Sequence, residues 1–310
     1  EVVDYIYDML VKVISDTNTT HDTNTTQAPL VSYIKWDMNR CLTEVAGGET
    51  FHKYVLGVYN LYQRLTKTFP TILFEGCSSG GSRFDIGILQ YAPQSWLSDD
   101  TDALERILLQ EGASYIYPQS SWGAHVSITP NHQTGRSTPI MFRAIVAFFG
   151  AFGYELDPAK LSPEEKEAVK EQIAFYKKYR SLFQRGDFYR LKTVQNAELP
   201  FPSLVASNDW AAWQVVKNTE CAKAPAESAV AYFRLLYHPA RLLRRLKLKG
   251  LDPNATYQVS LWEEAGYNPE DKQLNCRTWT GEELMQAGLF LDAGQRPGDF
   301  MAELFLVNRI

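Results

Sequence analysis

Val31-Ser-Tyr-Ile-Lys-Trp-Asp37 reads as a β-strand that ends in polar residues, and Thr71-Ile-Leu-Phe-Glu-Gly-Cys77 as a second that runs into a loop of serine and glycine. Between them, His52 to Lys67 carries apolar residues at helical spacing. The alternation extends in both directions. Val2 to Ile14 reads as an amphipathic helix. On the other side come a strand at Ser95–Asp99, a helix at Asp102–Glu111, a fourth strand at Ala113–Tyr117, a helix at Pro139–Phe149 and a fifth strand at Ala151–Glu155. Ser162-Pro-Glu-Glu then opens a helix that runs to about Phe183, with serine at the cap, proline first and glutamate third. Strand followed by helix, repeated, implies parallel strands joined by crossover helices.

Polar residues gather after the strands: Lys35 and Asp37, Cys77 and Ser78, Ser98 and Asp99, Ser120 and Ser121. In a βα-barrel the active site is built from the loops at those strand ends. A doubly wound sheet gives a similar alternation, and the strand-end clusters favour the barrel. The expected fold is therefore α/β, a partial (β/α)8 TIM-type barrel of about strands 4 to 8. Five strand–helix units do not close eight strands, so the others are expected from a segment outside this chain or from another chain. After about Asp187 the texture changes. Phe188–Leu191, Trp210–Val216, Ser228–Tyr237, Arg241–Lys247, Thr256–Leu261 and Glu303–Val307 read as short strands separated by turn signals, as in an all-β sandwich. The expected division is 1–187 for the barrel portion and 188–310 for the sandwich.

With 310 residues, 45% apolar and 22% charged, the chain has the composition of an ordinary globular protein. A formal charge of -5 argues against a nucleic-acid partner, which usually needs a basic footprint, and suits a neutral substrate. Aromatic residues make up 13%; their faces cover the apolar faces of sugars and also build cores. Cys41, Cys77, Cys221 and Cys276 form no C-x-x-C pair, so neither a zinc ribbon nor a disulfide framework is expected. The sequons at Asn18, Asn24 and Asn254 matter only in a secretory pathway, and the compartment stays open. Ile140 to Tyr154 is the most apolar stretch and contains Arg143, so no membrane span is expected. Asp16 to Gln27, rich in threonine and asparagine, reads as a polar loop or insertion.

Two carboxylates stand out. Asp37, at a strand end beside Lys35 and near Arg40, should be held ionised by opposite charge, as a nucleophile requires; a structural ion pair would have the same pattern. Asp99, Asp100 and Asp102 repel one another, which suits a proton donor, while one of them also suits the N-cap of the following helix. A facing pair of carboxylates across a sugar gives hydrolysis with retention. The segment Glu75-Gly-Cys-Ser-Ser-Gly-Gly-Ser-Arg-Phe-Asp85 permits close backbone approach to a ligand but lacks the Lys-Ser/Thr ending of a phosphate loop. Arg83 and Asp85 are expected to pair with each other or with the scaffold, with Asp85 the second choice for the acid. His125 and His132 read as loop or supporting residues, not as partners of a Cys77 nucleophile.

Lys35-Trp-Asp-Met-Asn-Arg, Cys77-Ser-Ser-Gly-Gly-Ser-Arg-Phe-Asp and Trp96-Leu-Ser-Asp together resemble glycoside hydrolase family 36, whose best-known members are microbial α-galactosidases. The resemblance continues through Gly123-Ala-His-Val-Ser, Pro130-Asn-His-Gln-Thr-Gly-Arg, Phe152-Gly-Tyr-Glu-Leu-Asp and Gly186-Asp-Phe-Tyr-Arg-Leu. It implies Asp37 as nucleophile and Asp99, rather than Asp85, as general acid/base. It also implies that Lys35 binds galactose hydroxyls, that Cys77 and Gly80 line the sugar site, and that Trp96 packs on the sugar. The implied reaction is removal of terminal α-linked galactose from oligosaccharides such as melibiose and raffinose, by double displacement and without cofactor or metal. α-N-acetylgalactosamine removal and galactosyl transfer are related specificities, and a catalytically incomplete galactose-binding fragment is the rival reading. A homo-oligomer and an amino-terminal half carrying further sugar-binding residues are also implied. Ser82 stands where the family commonly has glycine, and Asp100 where it commonly has asparagine.

Overall fold

A computed structural model describes residues 1–16, 31–40, 42–45, 47–194, 209–238, 243–262, 269–293 and 297–310. The threonine- and asparagine-rich stretch beyond Asp16, the sequons at Asn18 and Asn24, Cys41, and the start of the strand expected at Arg241 lie outside the described residues. The chain divides into two compact units, Glu1–Asp99 and Asp100–Ile310.

In the first unit the order is α1 (Val2–Asp16), β1 (Tyr33–Trp36), α2 (Glu49–Thr68), β2 (Leu73–Gly76) and β3 (Gln94–Trp96). The strands are parallel in the order β1–β2–β3, with Tyr33 opposite Leu73, Lys35 opposite Glu75 and Glu75 opposite Gln94. Side chains alternate between the two faces of a strand. Ile34, Trp36 and Phe74 therefore point one way, into a core that α1 and α2 supply with Ile14, Leu61, Tyr62 and Leu65. The Trp36 and Tyr62 rings lie 4.5 Å apart. Burying such side chains stabilises by roughly 1.5–3 kcal/mol each. The opposite face carries Tyr33, Lys35 and Glu75, and the same alternation continues it to Asp37, Cys77 and Trp96 beyond or at the strand ends. Packing the apolar face thus sets which side the polar strand ends project from.

The second unit begins with α3 (Ala103–Ala113), β4 (Trp122–Ser127), α4 (Ile140–Phe148), β5 (Ala151–Glu155) and α5 (Pro163–Arg185). β4 and β5 are parallel, from Gly123 opposite Ala151 to Ser127 opposite Glu155. The fourth strand is therefore not at Ala113–Tyr117. There the helix hydrogen bonds persist past α3, from Ser114 to Gln110 and from Tyr117 to Ala113, and Tyr115 and Ile116 are exposed. Ser120 and Ser121 accordingly precede a strand rather than follow one. α5 starts as its sequence signals: the Ser162 hydroxyl accepts from the Glu165 N–H, and the Glu165 carboxylate accepts from the Ser162 N–H.

From β6 (Asp187–Lys192) onward all strand pairing is antiparallel among the described residues. With β7 (Trp210–Val216), β8 (Ser228–Arg234), β10 (Thr256–Leu261), β11 (Thr278–Thr280) and β13 (Met301–Arg309) it forms a sheet in the order β11-β10-β13-β8-β7-β6. β9 (Arg244–Leu246) pairs with β12 (Leu289–Leu291) in a separate two-stranded ribbon. Leu246, Leu289 and Leu291 of the ribbon share one core with Val230, Tyr257, Val259 and Phe305 of the sheet, which gives a two-layered β domain. β11, β12 and two short helices, α6 (Pro269–Asn275) and α7 (Gly281–Gln286), are additions to the expected strands. α4 is buried along nearly its whole length, and its Phe142 and the following Phe149 stand edge-on to Phe233 and Trp213 of the sheet.

Candidate active site

All six residues expected at the site lie in the first unit. Asp37 follows β1, and both its oxygens are engaged: the Met38 N–H donates to Oδ1 at 2.8 Å and the Asn39 amide to Oδ2 at 2.8 Å. Partial burial acts to raise its pKa. Hydrogen bonds from the Cys77 thiol, the Asn39 amide and the N–H groups of Met38 and Ser79 outweigh that and hold it below the usual carboxylate range. The carboxylate is therefore kept ionised, but the leading causes are hydrogen bonds, not the charges of Lys35 and Arg40. The Lys35 ammonium instead sits 4.6 Å from the centre of the Trp96 ring.

Cys77 is buried, and its thiol is pushed up to about 11, first by burial and then by its hydrogen bond to Asp37. Near neutrality it is a protonated donor to Asp37, the form of a thiol that does not attack. Asn39 was not singled out by pattern, yet it organises this corner. Its NH2 holds Asp37 while its Oδ1 accepts from the Ser79 N–H at 3.1 Å and the Ser79 hydroxyl at 3.3 Å. The Ser78 hydroxyl donates to the Met38 carbonyl at 2.9 Å, tying the two strand-end loops together. The Arg83 guanidinium donates to the carbonyls of Trp36 and Cys77 at 2.9 and 2.8 Å. Asp85 accepts from the Tyr59 hydroxyl at 2.6 Å and the Ile88 N–H at 2.8 Å. Both residues thus serve the scaffold, and Asp85 is occupied as a structural acceptor.

The glycine loop turns through left-handed backbone at Ser79 (φ 43°) and Gly80 (φ 79°). A Cβ on Gly80 would stand 2.8 Å from the Ser98 Cα and 2.9 Å from the Asp99 nitrogen, so the loop lies directly on the backbone that bears Asp99. Asp99 is exposed, and among the described residues its carboxylate makes no hydrogen bond or ion pair. The neighbouring acids have different work. Asp102 is the N-cap of α3, accepting from the Leu104 N–H at 2.8 Å, and Asp100 Oδ1 accepts from the Asp102 N–H at 3.0 Å.

His125 lies on β4 with Nδ1 3.7 Å from Glu155 Oε2, and His132 is exposed in the loop that follows. Among the described residues no cluster of histidine, cysteine and acidic side chains could hold a metal ion, and no helix is long and apolar enough to cross a membrane.

The chain is similar to known proteins along its length. Melibiase matches residues 1–186 and the glycosyl hydrolase family 36 C-terminal domain matches residues 210–307. Alpha-galactosidase AgaA of Geobacillus stearothermophilus is 40% identical over 318 residues, covering 100% of this chain and 38% of that protein. The crystal structure of an alpha-galactosidase from Lactobacillus brevis is 43% identical with a TM-score of 0.81, covering 100% of this chain and 38% of that one. A structure of AgaA in complex with raffinose is 39% identical with a TM-score of 0.80 and the same coverage. The chain thus spans well under half the length of these relatives. Its parallel strands are part of a TIM-type barrel, followed by the antiparallel domain. The chain belongs to the melibiase family, glycoside hydrolase family 36, and corresponds to its carboxyl-terminal part.

Proposed function

We propose that the whole protein carrying this chain is a retaining α-galactosidase in which Asp37 attacks the anomeric carbon and Asp99 is the general acid and then the general base. The observation that carries this reading is the contrast between the two carboxylates. Asp37 is held ionised by donors on both oxygens, as an attacking group needs. Asp99 is exposed on a backbone against which the glycine loop is closely packed, and its carboxylate has no internal partner among the described residues. As Asp37 attacks, the glycosidic C–O bond breaks and the leaving oxygen takes the Asp99 proton and departs as an alcohol, which leaves a galactosyl-enzyme. Asp99 then takes a proton from water, which displaces Asp37 and restores the α-anomer.

Lys35 is assigned to galactose hydroxyls, Cys77 and Gly80 to the wall of the sugar site, and Trp96 to the apolar face of the ring. The placement of Lys35, Asp37, Cys77 and Trp96 on one face of β1–β2–β3 supports this assignment. We further assign residues 1–187 to the catalytic barrel and 188–310 to the β-sandwich domain. The change from parallel to antiparallel pairing at β6 and the match of the first family to residues 1–186 support that division. One relative, AgaA, crystallised in variant forms with raffinose and with stachyose, supports α-galactosyl oligosaccharides as the substrate class.

The test is proton NMR of the sugar first released from an aryl α-galactoside. Initial α-galactose is expected. Initial β-galactose would refute double displacement, and release from an α-N-acetylgalactosaminide but not an α-galactoside would move the specificity.

A further inference from the structure

The loop after β4, Pro130-Asn-His-Gln-Thr-Gly-Arg136, has no part in the site as described, yet it spends many polar contacts on two residues. Asn131 is buried and folds the loop on itself, its Oδ1 accepting from the N–H groups of Gln133 and Thr134 at 2.9 and 3.1 Å. So shaped, the loop grips Thr101 and Asp102. Asn131 Nδ2 donates to the Thr101 hydroxyl at 3.3 Å, and the Thr101 N–H donates to Gln133 Oε1 at 3.3 Å. The Thr101 carbonyl accepts from the Ser127 hydroxyl of β4 at 2.8 Å. On Asp102, the Thr134 hydroxyl donates to Oδ2 and Arg136 Nη1 stands 2.7 Å from Oδ1. Every polar group of Thr101 except its side chain's second capacity is thus engaged, and both residues are buried.

Capping α3 does not require this. The Leu104 N–H is already satisfied by Asp102 alone, and α5 is capped by its own Ser162 and Glu165 without help from any distant loop. What the grip adds is a fixed backbone two and three residues after Asp99. Catalytic groups need to be held to within about 0.5 Å of their working geometry.

We propose that the Asn131–Arg136 loop is a clamp that positions Asp99 for proton transfer, acting through Thr101 and Asp102. This rests on the assignment of Asp99 as the general acid. Gln133, Thr134 and Arg136 are positioning residues that act through Thr101 and Asp102.

The clamp is tested in the whole protein with a series of aryl α-galactosides of decreasing phenol acidity, ending in melibiose. An acidic phenol leaves without a proton, whereas a sugar does not. Thr134→Val should keep kcat/KM within about 2-fold on the most activated substrate and lose about 10- to 100-fold on melibiose. Thr134→Ser, which restores the donor, should recover melibiose hydrolysis. Gln133→Ala should show the same leaving-group dependence and carries the test if Thr134→Val does not fold. Variants with wild-type melting temperature that lose equally across the series, or lose nothing, would overturn the clamp. Asp99→Ala in the same series separates the two ideas. A steep dependence there with a flat one in the loop variants sinks the clamp alone, and a flat one in Asp99→Ala sinks the acid assignment and the clamp with it.

Discussion

Replacing Gly80 by alanine perturbs the contact on which the proposed geometry depends. The residue has φ 79°, where a Cβ costs about 1–2 kcal/mol. The new methyl would lie 2.8 Å from the Ser98 Cα, 2.9 Å from the Asp99 nitrogen and 3.1 Å from the Ser98 carbonyl carbon. Ordinary carbon contacts begin near 3.5 Å, so one backbone or the other must retreat by about 0.7 Å. These are main-chain atoms with no flexible end to swing aside. A catalytic group displaced by 1 Å can lose about 100-fold in rate, so a shift of this size should lower kcat/KM about 10-fold or more. That corresponds to about 1.4 kcal/mol of transition-state stabilisation, on top of the loss in folding stability. The assay is initial-rate hydrolysis of an aryl α-galactoside and of melibiose, with thermal unfolding alongside. A Gly80→Ala protein with wild-type kcat/KM and wild-type melting temperature would refute the close packing of the glycine loop on the Asp99 backbone.

Further expectations follow from individual groups. Cys77→Ala removes a donor to Asp37, so the Asp37 pKa should rise and the acidic limb of the kcat/KM profile should move to higher pH; a limb that stays put would deny the thiol its role. Because the Cys77 thiol is pushed up to about 11, native protein at pH 8 should react with iodoacetamide at Cys77 only after unfolding, as read by peptide mass spectrometry. Asp271 in the β domain is raised to about 6, chiefly by burial and against the hydrogen bonds from the Ala293 and Asp292 N–H groups. A carboxyl raised on folding contributes stability below its unfolded pKa that is lost as pH climbs through the folded value. Urea midpoints for the β domain should therefore fall between about pH 4 and pH 6.5, and a midpoint that rises over that range would contradict the reasoning. Gly112 lies near the end of α3 with open space where a Cβ would go, so Gly112→Ala should raise stability by about 0.5–1 kcal/mol in chemical unfolding and leave hydrolysis unchanged.

The parallel strands were legible where a short β-rich run meets polar residues, as at β1 and β2, and the helices where capping and period agreed, as at α5. The fourth strand was not. Ala113-Ser-Tyr-Ile-Tyr has the β-branched and aromatic residues of a strand, but the α3 hydrogen bonds continue through it and leave Tyr115 and Ile116 exposed. The real β4 is buried along most of its length, and such strands lack the alternation that pattern reading relies on. β11 and β12 have three residues each, too few to show a period. α7 did carry a signal in Thr280-Gly-Glu-Glu283, whose threonine and final glutamate form a capping box in the structure. At the site, Asp37, Cys77 and Asp99 could be picked out because they follow strands. The bridge made by Asn39 and the grip of Gln133 and Thr134 on Thr101 and Asp102 depend on side-chain geometry that no periodicity encodes. The cause of the low Asp37 pKa was likewise invisible, since sequence proximity pointed to Lys35 while folding brings the Cys77 thiol to the carboxylate and places the lysine over Trp96.

The measurement that bears most directly on the roles of the two carboxylates is azide rescue of Asp37→Gly and Asp99→Gly acting on an activated aryl α-galactoside. Without Asp37, azide fills the vacated space and displaces the phenol in a single inversion, so the product should be β-galactosyl azide. Without Asp99, the activated substrate still forms the Asp37-linked intermediate, and azide displaces that, so the product should be α-galactosyl azide. Opposite anomers from the two variants, assigned in this order by proton NMR, are what the account predicts. The same anomer from both, or the reverse assignment, would contradict it.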